Sequence, residues 1–152
     1  MGTLENQVLK FRLGDTWVSP IYAVLINDLP TDLTPEFGHW SVKCQAKRSP
    51  TSPVLQEWTT ENGRVIVSEV QVQYTSDNIW ATTSAIRLFH TADDSQEWAP
   101  FSAYFEIELE RYENEVLERF TLVTGRMIAK HDIAESPVSA IPAEPILGGG
   151  SP

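Results

Sequence analysis

Metal ligation or nucleophilic catalysis would have to draw on His39, His90, His131 and Cys44. The three histidines are scattered, no two with the spacing of a zinc site, and Cys44 gives one thiolate at most. A reactive thiol needs a nearby histidine and an electropositive setting. Cys44 instead lies in a run alternating with small and apolar residues, where a lone cysteine reads as a buried small hydrophobe. With one cysteine there is no intrachain disulfide. His131 and Asp132 are neighbours, but neighbours on a strand point to opposite faces, so the pair is not oriented for proton transfer. Glu57, Glu106, Glu108 and Glu110 are the type of group that glycoside hydrolysis uses. The last three, however, alternate along one side of a strand-like run, where charge normally faces water. Asp93-Asp94-Ser95-Gln96-Glu97 offers oxygen ligands for a hard cation. It lacks the alternating aspartates and glycine of an EF-hand loop and reads as a solvated turn. No G-x-S-x-G, P-loop or G-x-G-x-x-G occurs. The expectation is a non-enzymatic protein with no catalytic, cofactor-binding or metal-binding residues.

The tryptophans raise a different chemistry, that of interface anchors and sugar platforms. Trp40 and Trp58 alternate in phase with apolar neighbours and are expected in the core, Trp40 as the large inner-face aromatic. Trp17, Trp80 and Trp98 sit beside turns and are the expected interface residues.

The elements that must position these residues are short and β-like. A chain of 152 residues suits one domain large enough for a real core. The formal charge of −10 argues against nucleic acid and anionic membrane surfaces as partners. Lys43, Lys47 and Arg48 read as a solvated strand end. Neither a signal peptide nor a long apolar span is visible, so a cytoplasmic setting, or release by lysis, is expected.

Period-two alternation is clearest in Tyr104 to Leu109, where Phe105, Ile107 and Leu109 share one face. Phe120 to Ile133 reads as its hairpin partner, reached through a polar turn near Glu113-Asn114, with Gly125 in its middle, the signature of a bulge or a close backbone approach. Further strands are expected over Gln7–Leu13, Thr16–Ser19, His39–Arg48, Val54–Trp58, Arg64–Val67, Glu69–Tyr74 and Ala85–Phe89. Ile21–Ile26 is a dense apolar run that reads as a strand buried on both faces or at a sheet centre. Asn62-Gly63 is the strongest hairpin signal, predicting a type I′ turn flanked by Glu61 and Arg64. Asn27–Gly38, Ser49–Pro53, Ser76–Asn78 and Thr91–Pro100 read as loops or turns. Glu113–Phe120 is the best helix candidate, although it also suits the start of a strand. About nine short strands with turns between them predict an all-β, immunoglobulin-like antiparallel β-sandwich over residues 1–135. From Ser136 the composition changes to frequent proline and terminal glycines, predicting an extended Pro/Gly-rich C-terminal tail over residues 136–152.

The order of these signals resembles a family of tailed-bacteriophage structural domains. The residues that carry it are Gly14-Asp15-Thr16, Trp40 to Arg48, Asn62-Gly63, Thr91 to Asp94, Tyr104 to Leu109 and Thr121 to Ile133. They look like the immunoglobulin-like domains of tail-collar and side-fibre-attachment proteins and the N-terminal domain of siphophage upper-baseplate proteins. The likeness spans about residues 10 to 135, and Ile128 or Ala129 stands where a valine is common. It implies a virion component, located in the tail and assembled in the host cytoplasm. Such a component forms a homo-oligomeric ring around the tail tube or hub and holds fibres or receptor-binding proteins. The tail is then expected to lie on a neighbouring subunit, with Val138, Ile141, Ile146 and Leu147 filling shallow pockets. Two other readings of the same pattern are a carbohydrate-binding module using Trp80 and Trp98, and a capsid decoration or neck protein.

Overall fold

The computed structural model describes residues 3–33, 40–73 and 79–131. Among these the chain is all-β, with one short helix. The strands are β1 (Leu4–Arg12), β2 (Trp17–Val18), β3 (Tyr22–Ala23), β4 (Leu25–Ile26), β5 (Leu29–Pro30), β6 (Ser41–Lys47), β7 (Val54–Thr59), β8 (Val65–Gln73), β9 (Trp80–His90), β10 (Phe101–Glu113) and β11 (Val116–Lys130). Helix α1 (Ala92–Ser95) lies between β9 and β10.

Five strands form one sheet in the order β1-β11-β10-β6-β7. Its centre is β10, whose alternation buries Phe101, Ala103, Phe105, Ile107 and Leu109 on one face. Next to it β6 buries Val42, Cys44 and Ala46. In the second sheet β8 pairs along one edge of β9, and β2 and β3 pair along the other. Ser19 and Pro20 interrupt that last edge. Proline has no N–H for a ladder, and the Ser19 hydroxyl accepts the Leu88 N–H at 2.8 Å in place of a backbone carbonyl. Tyr22, Val24, Ile86 and Leu88 from this side join the inner residues of the five-stranded sheet in one hydrophobic cluster. Fully burying such a side chain contributes about 1.5–3 kcal/mol.

Several expectations are corrected. Ile21–Ile26 is not a strand buried on both faces. It splits into β3 and β4, and Ile21 stays 48% exposed. Its residues sit on an edge, so Tyr22 and Val24 are buried, Ile26 packs partly buried against the core, and Ile21 and Ala23 face out. The pairing is not antiparallel throughout, because β1 runs parallel to β11. The two runs expected over Arg64–Val67 and from Glu69 onward are one strand, β8, which starts at Val65. Asn62-Gly63 makes no hairpin, since β7 and β8 belong to different sheets. Only Gly63 has positive φ there. Asn62 acts through its side chain instead, its Oδ1 accepting from the Thr59 and Arg64 N–H groups at 2.9 and 3.0 Å. The two-residue turns with positive φ at both centres are Asn27-Asp28, joining β4 to β5, and Asn114-Glu115, joining β10 to β11. Glu113–Phe120 is therefore turn and strand, with no helix.

Gly125 behaves as a mid-strand glycine should. A Cβ there would lie 1.9 Å from the Gln7 carbonyl oxygen of β1. The β1–β11 register shifts between Leu4 and Gln7, where Asn6 takes a φ of 61°. Tyr74, Ser76–Asn78, His39, Asp132, Ile133 and the whole tail, including Val138, Ile141, Ile146 and Leu147, lie outside the described residues.

Candidate interaction surface

The β10–β11 hairpin outgrows its sheet. β6 pairs with β10 only as far as Glu110, opposite Ser41, whereas β11 continues to Glu113 opposite Val116. Residues 111–118 are thus a two-stranded ribbon closed by the Asn114-Glu115 turn. A tight turn with a matched twist fixes the ribbon's register. Its apolar side chains have little to bury against: Tyr112 is 69% exposed, Val116 60% and Leu117 40%.

Arg111 anchors the base of the ribbon. Its guanidinium lies 4.4 Å from the centroid of the Trp40 ring and bonds Glu113 at 3.0 Å and Glu118. Trp40 also meets Phe120, with centroids 5.9 Å apart. Here the expectation for Trp40 is corrected. It precedes β6, is half-buried, and packs on the periphery of the core. The fully buried tryptophan is Trp58, on β7 opposite Cys44. Arg111 lines two shallow concavities. One, of about 430 Å³, includes Leu29, Pro30 and Trp40, and the other, of about 210 Å³, includes Ser41, Tyr112 and Leu117. Aromatic and arginine side chains beside exposed apolar groups are the composition of protein-interface anchors.

Below the ribbon, the outer face of the five-stranded sheet carries a mixed-charge groove of about 360 Å³, lined by Lys43, Gln45, Lys47, Tyr104, Glu106 and Arg119 among others. Glu110 bridges Lys43 at 3.5 Å and Arg119 at 2.7 Å. Partial burial pulls its carboxyl upward, but these cations outweigh that and hold it below the usual range. Glu110 is thus matched by cations from both neighbouring strands, as cross-strand pairing favours, whereas Glu106 accepts the Tyr104 hydroxyl at 3.0 Å.

The tryptophans expected at an interface divide. Trp80 is 62% exposed on β9. Trp17 and Trp98 are half-buried in an aromatic cluster with Phe11, Trp58 and His90. His90 is fully buried, and its Nδ1 accepts the Trp58 indole N–H at 3.3 Å. Burial first, then the Arg64 charge, lowers its pKa to about 4, against a smaller upward pull from Asp94. Arg64 lies 5.2 Å from the Trp98 ring centroid and 3.4 Å from Asp94. Arg64 thus pairs with Asp94 of α1 and not with Glu61 across the Asn62-Gly63 turn, as their flanking positions could have allowed. Asp94 completes a capping box with Thr91. Among the described residues, no three His, Cys, Asp or Glu side chains gather as a metal site.

No protein-family model matches the chain, and neither a curated protein nor a solved structure matches it.

Sequence reasoning missed Tyr112, Val116 and Leu117. The turn near Glu113-Asn114 is legible in the sequence and falls at Asn114-Glu115 in the structure, but nothing in the sequence shows that the hairpin outruns the neighbouring strands and leaves these residues exposed.

Proposed function

We propose that this chain is a non-enzymatic structural protein of a tailed-phage virion. In this reading an immunoglobulin-like β-sandwich assembles into a collar or baseplate ring around the tail and connects fibres or receptor-binding proteins. The fold part draws support from the strand order. Two sheets share one core, β9 is flanked by β3 and β8, and β11 lies between β10 and a parallel first strand. The assembly part rests on one observation: the β10–β11 ribbon presents Tyr112 and the facing Leu117 to solvent on one side, and Val116 on the other, next to an arginine stacked on Trp40. A ring interface needs such an apolar centre with a polar rim.

The test is solution mass by light scattering over a tenfold concentration range, with negative-stain images of the same peak. Wild type should give a defined closed oligomer. Leu117→Asp combined with Tyr112→Ala should give folded monomer. A wild-type chain that stays monomeric, alone and with tail-tube protein, would sink the reading. Exposed Trp80 favours a second reading, a carbohydrate-binding module. Quenching of tryptophan fluorescence by glycans, lost in Trp80→Ala, would support it.

A further inference from the structure

A lateral cleft lies between the edge strands of the two sheets. It is apolar, about 200 Å³, and its walls are Leu4 of β1, Leu122 and Val123 of β11, and Ile21, Tyr22 and Leu25. The apolar rim stays open to water: Leu4 is 44% exposed and Ile21 48%. Val8, 56% exposed, lies on the outward face of β1 beside it. Beside it runs the outer edge of β1, which among the described residues pairs only with β11. Unpaired edges with an apolar flank are places for another strand to add.

We propose that the occupant is this chain's own C-terminal segment, folding back antiparallel along β1 so that Val138–Ile141 seats at the cleft. The path is short. β11 ends at Lys130, opposite Arg12, the last residue of β1. From Arg12 back to Leu4 is about 26 Å at the rise of a strand, and the stretch from His131 to Ile141 reaches about 33 Å when extended. The chemistry matches. Val138-Ser139-Ala140-Ile141 is uncharged, and its nearest charged residues on either side are Glu135 and Glu144. The exposed residues of β1 include Lys10 and Arg12 at the end nearer Glu135, and Glu5 at the end nearer the cleft, where the uncharged Val138–Ile141 stretch would lie. Pro137 and Pro142 bracket these four residues, and proline is tolerated on a new outer edge but ends regular pairing. Val138 and Ile141 fall on opposite faces of such a strand. One enters the cleft, and the other covers the exposed Val8. This inference does not depend on the virion reading.

Hydrogen exchange on the full-length chain tests it, comparing wild type with Val138→Asp/Ile141→Asp and, separately, with Ile21→Lys. Amides of Leu4–Arg12 should exchange about tenfold or more faster in both variants, while β10 amides stay unchanged. Equal β1 exchange in wild type and the tail variant would overturn the proposal. So would β1 protection that disappears on dilution to monomer, because the segment would then come from another copy.

Discussion

At the scale of single residues, the aromatic cluster decides both stability and its pH dependence. Trp58 is enclosed and Trp40 is not. Trp58→Ala should cost about 3–5 kcal/mol. Trp40→Ala, which loses a half-buried ring and its contact with Arg111, should cost about 1–2 kcal/mol. Urea midpoints of the two variants would check the order. Sequence reasoning took Trp40 as the inner aromatic because it is in phase with Val42, Cys44 and Ala46. Phase cannot show that the strand begins one residue later. His90 gives the second prediction. Its ring is held neutral, with a pKa of about 4 in the fold against 6.5 in the unfolded chain. A depressed folded value means the stabilisation is complete above pH 6.5 and is lost as pH falls toward about 4. The loss is roughly 3 kcal/mol at about 1.4 kcal/mol per unit. Asp94 is lowered mainly by the Thr91 backbone hydrogen bond. It adds loss in the same direction, but only below the ordinary carboxylate range. Denaturation at pH 7.5 and 4.5 should show the fall, and His90→Phe should flatten it between those values. A wild-type midpoint that does not move would refute the assignment.

At the scale of elements, alternation was a sound guide where one face of a strand is buried along its length. β10 and β6 carry their inward residues where the period places them. It failed at edges and corners. β8 is largely exposed, so its two short apolar stretches gave no sign of one continuous strand. Asn-Gly marked a change of direction correctly, but a change of direction can lead to the other sheet as readily as back along the same one. Gly125 is the mid-strand position where sequence and geometry meet. Gly125→Ala would press a methyl group into the backbone of β1 at Gln7. It should destabilise the fold by about 1–3 kcal/mol or more, read as a lowered denaturation midpoint. The effect should concentrate on β1, whose amides would exchange fastest.

At the scale of the whole molecule, the all-β class follows from many short β-compatible runs and the scarcity of helix signals. The placement of exposed apolar surface does not, because exposure depends on which strands outrun their neighbours. Tyr112, Val116 and Leu117 are in strands like any others, but they lie where β10 has outrun β6 and β11 has outrun β1, whose pairing begins at Leu4 opposite Val123. The proposed ring therefore depends on a difference in strand length. The parallel contact between β1 and β11 carries a mechanical consequence. The start of β1 lies beside Val123 and the end of β11 lies beside Arg12. Tension applied to those two ends pulls the strands past each other lengthwise, so the hydrogen bonds between them share the load and must yield together. A hairpin pulled from its open end instead yields one bond at a time. Stretched through Leu4 and Lys130, single molecules should hold to a higher force than when stretched through Phe101 and Lys130, the open end of the β10–β11 hairpin.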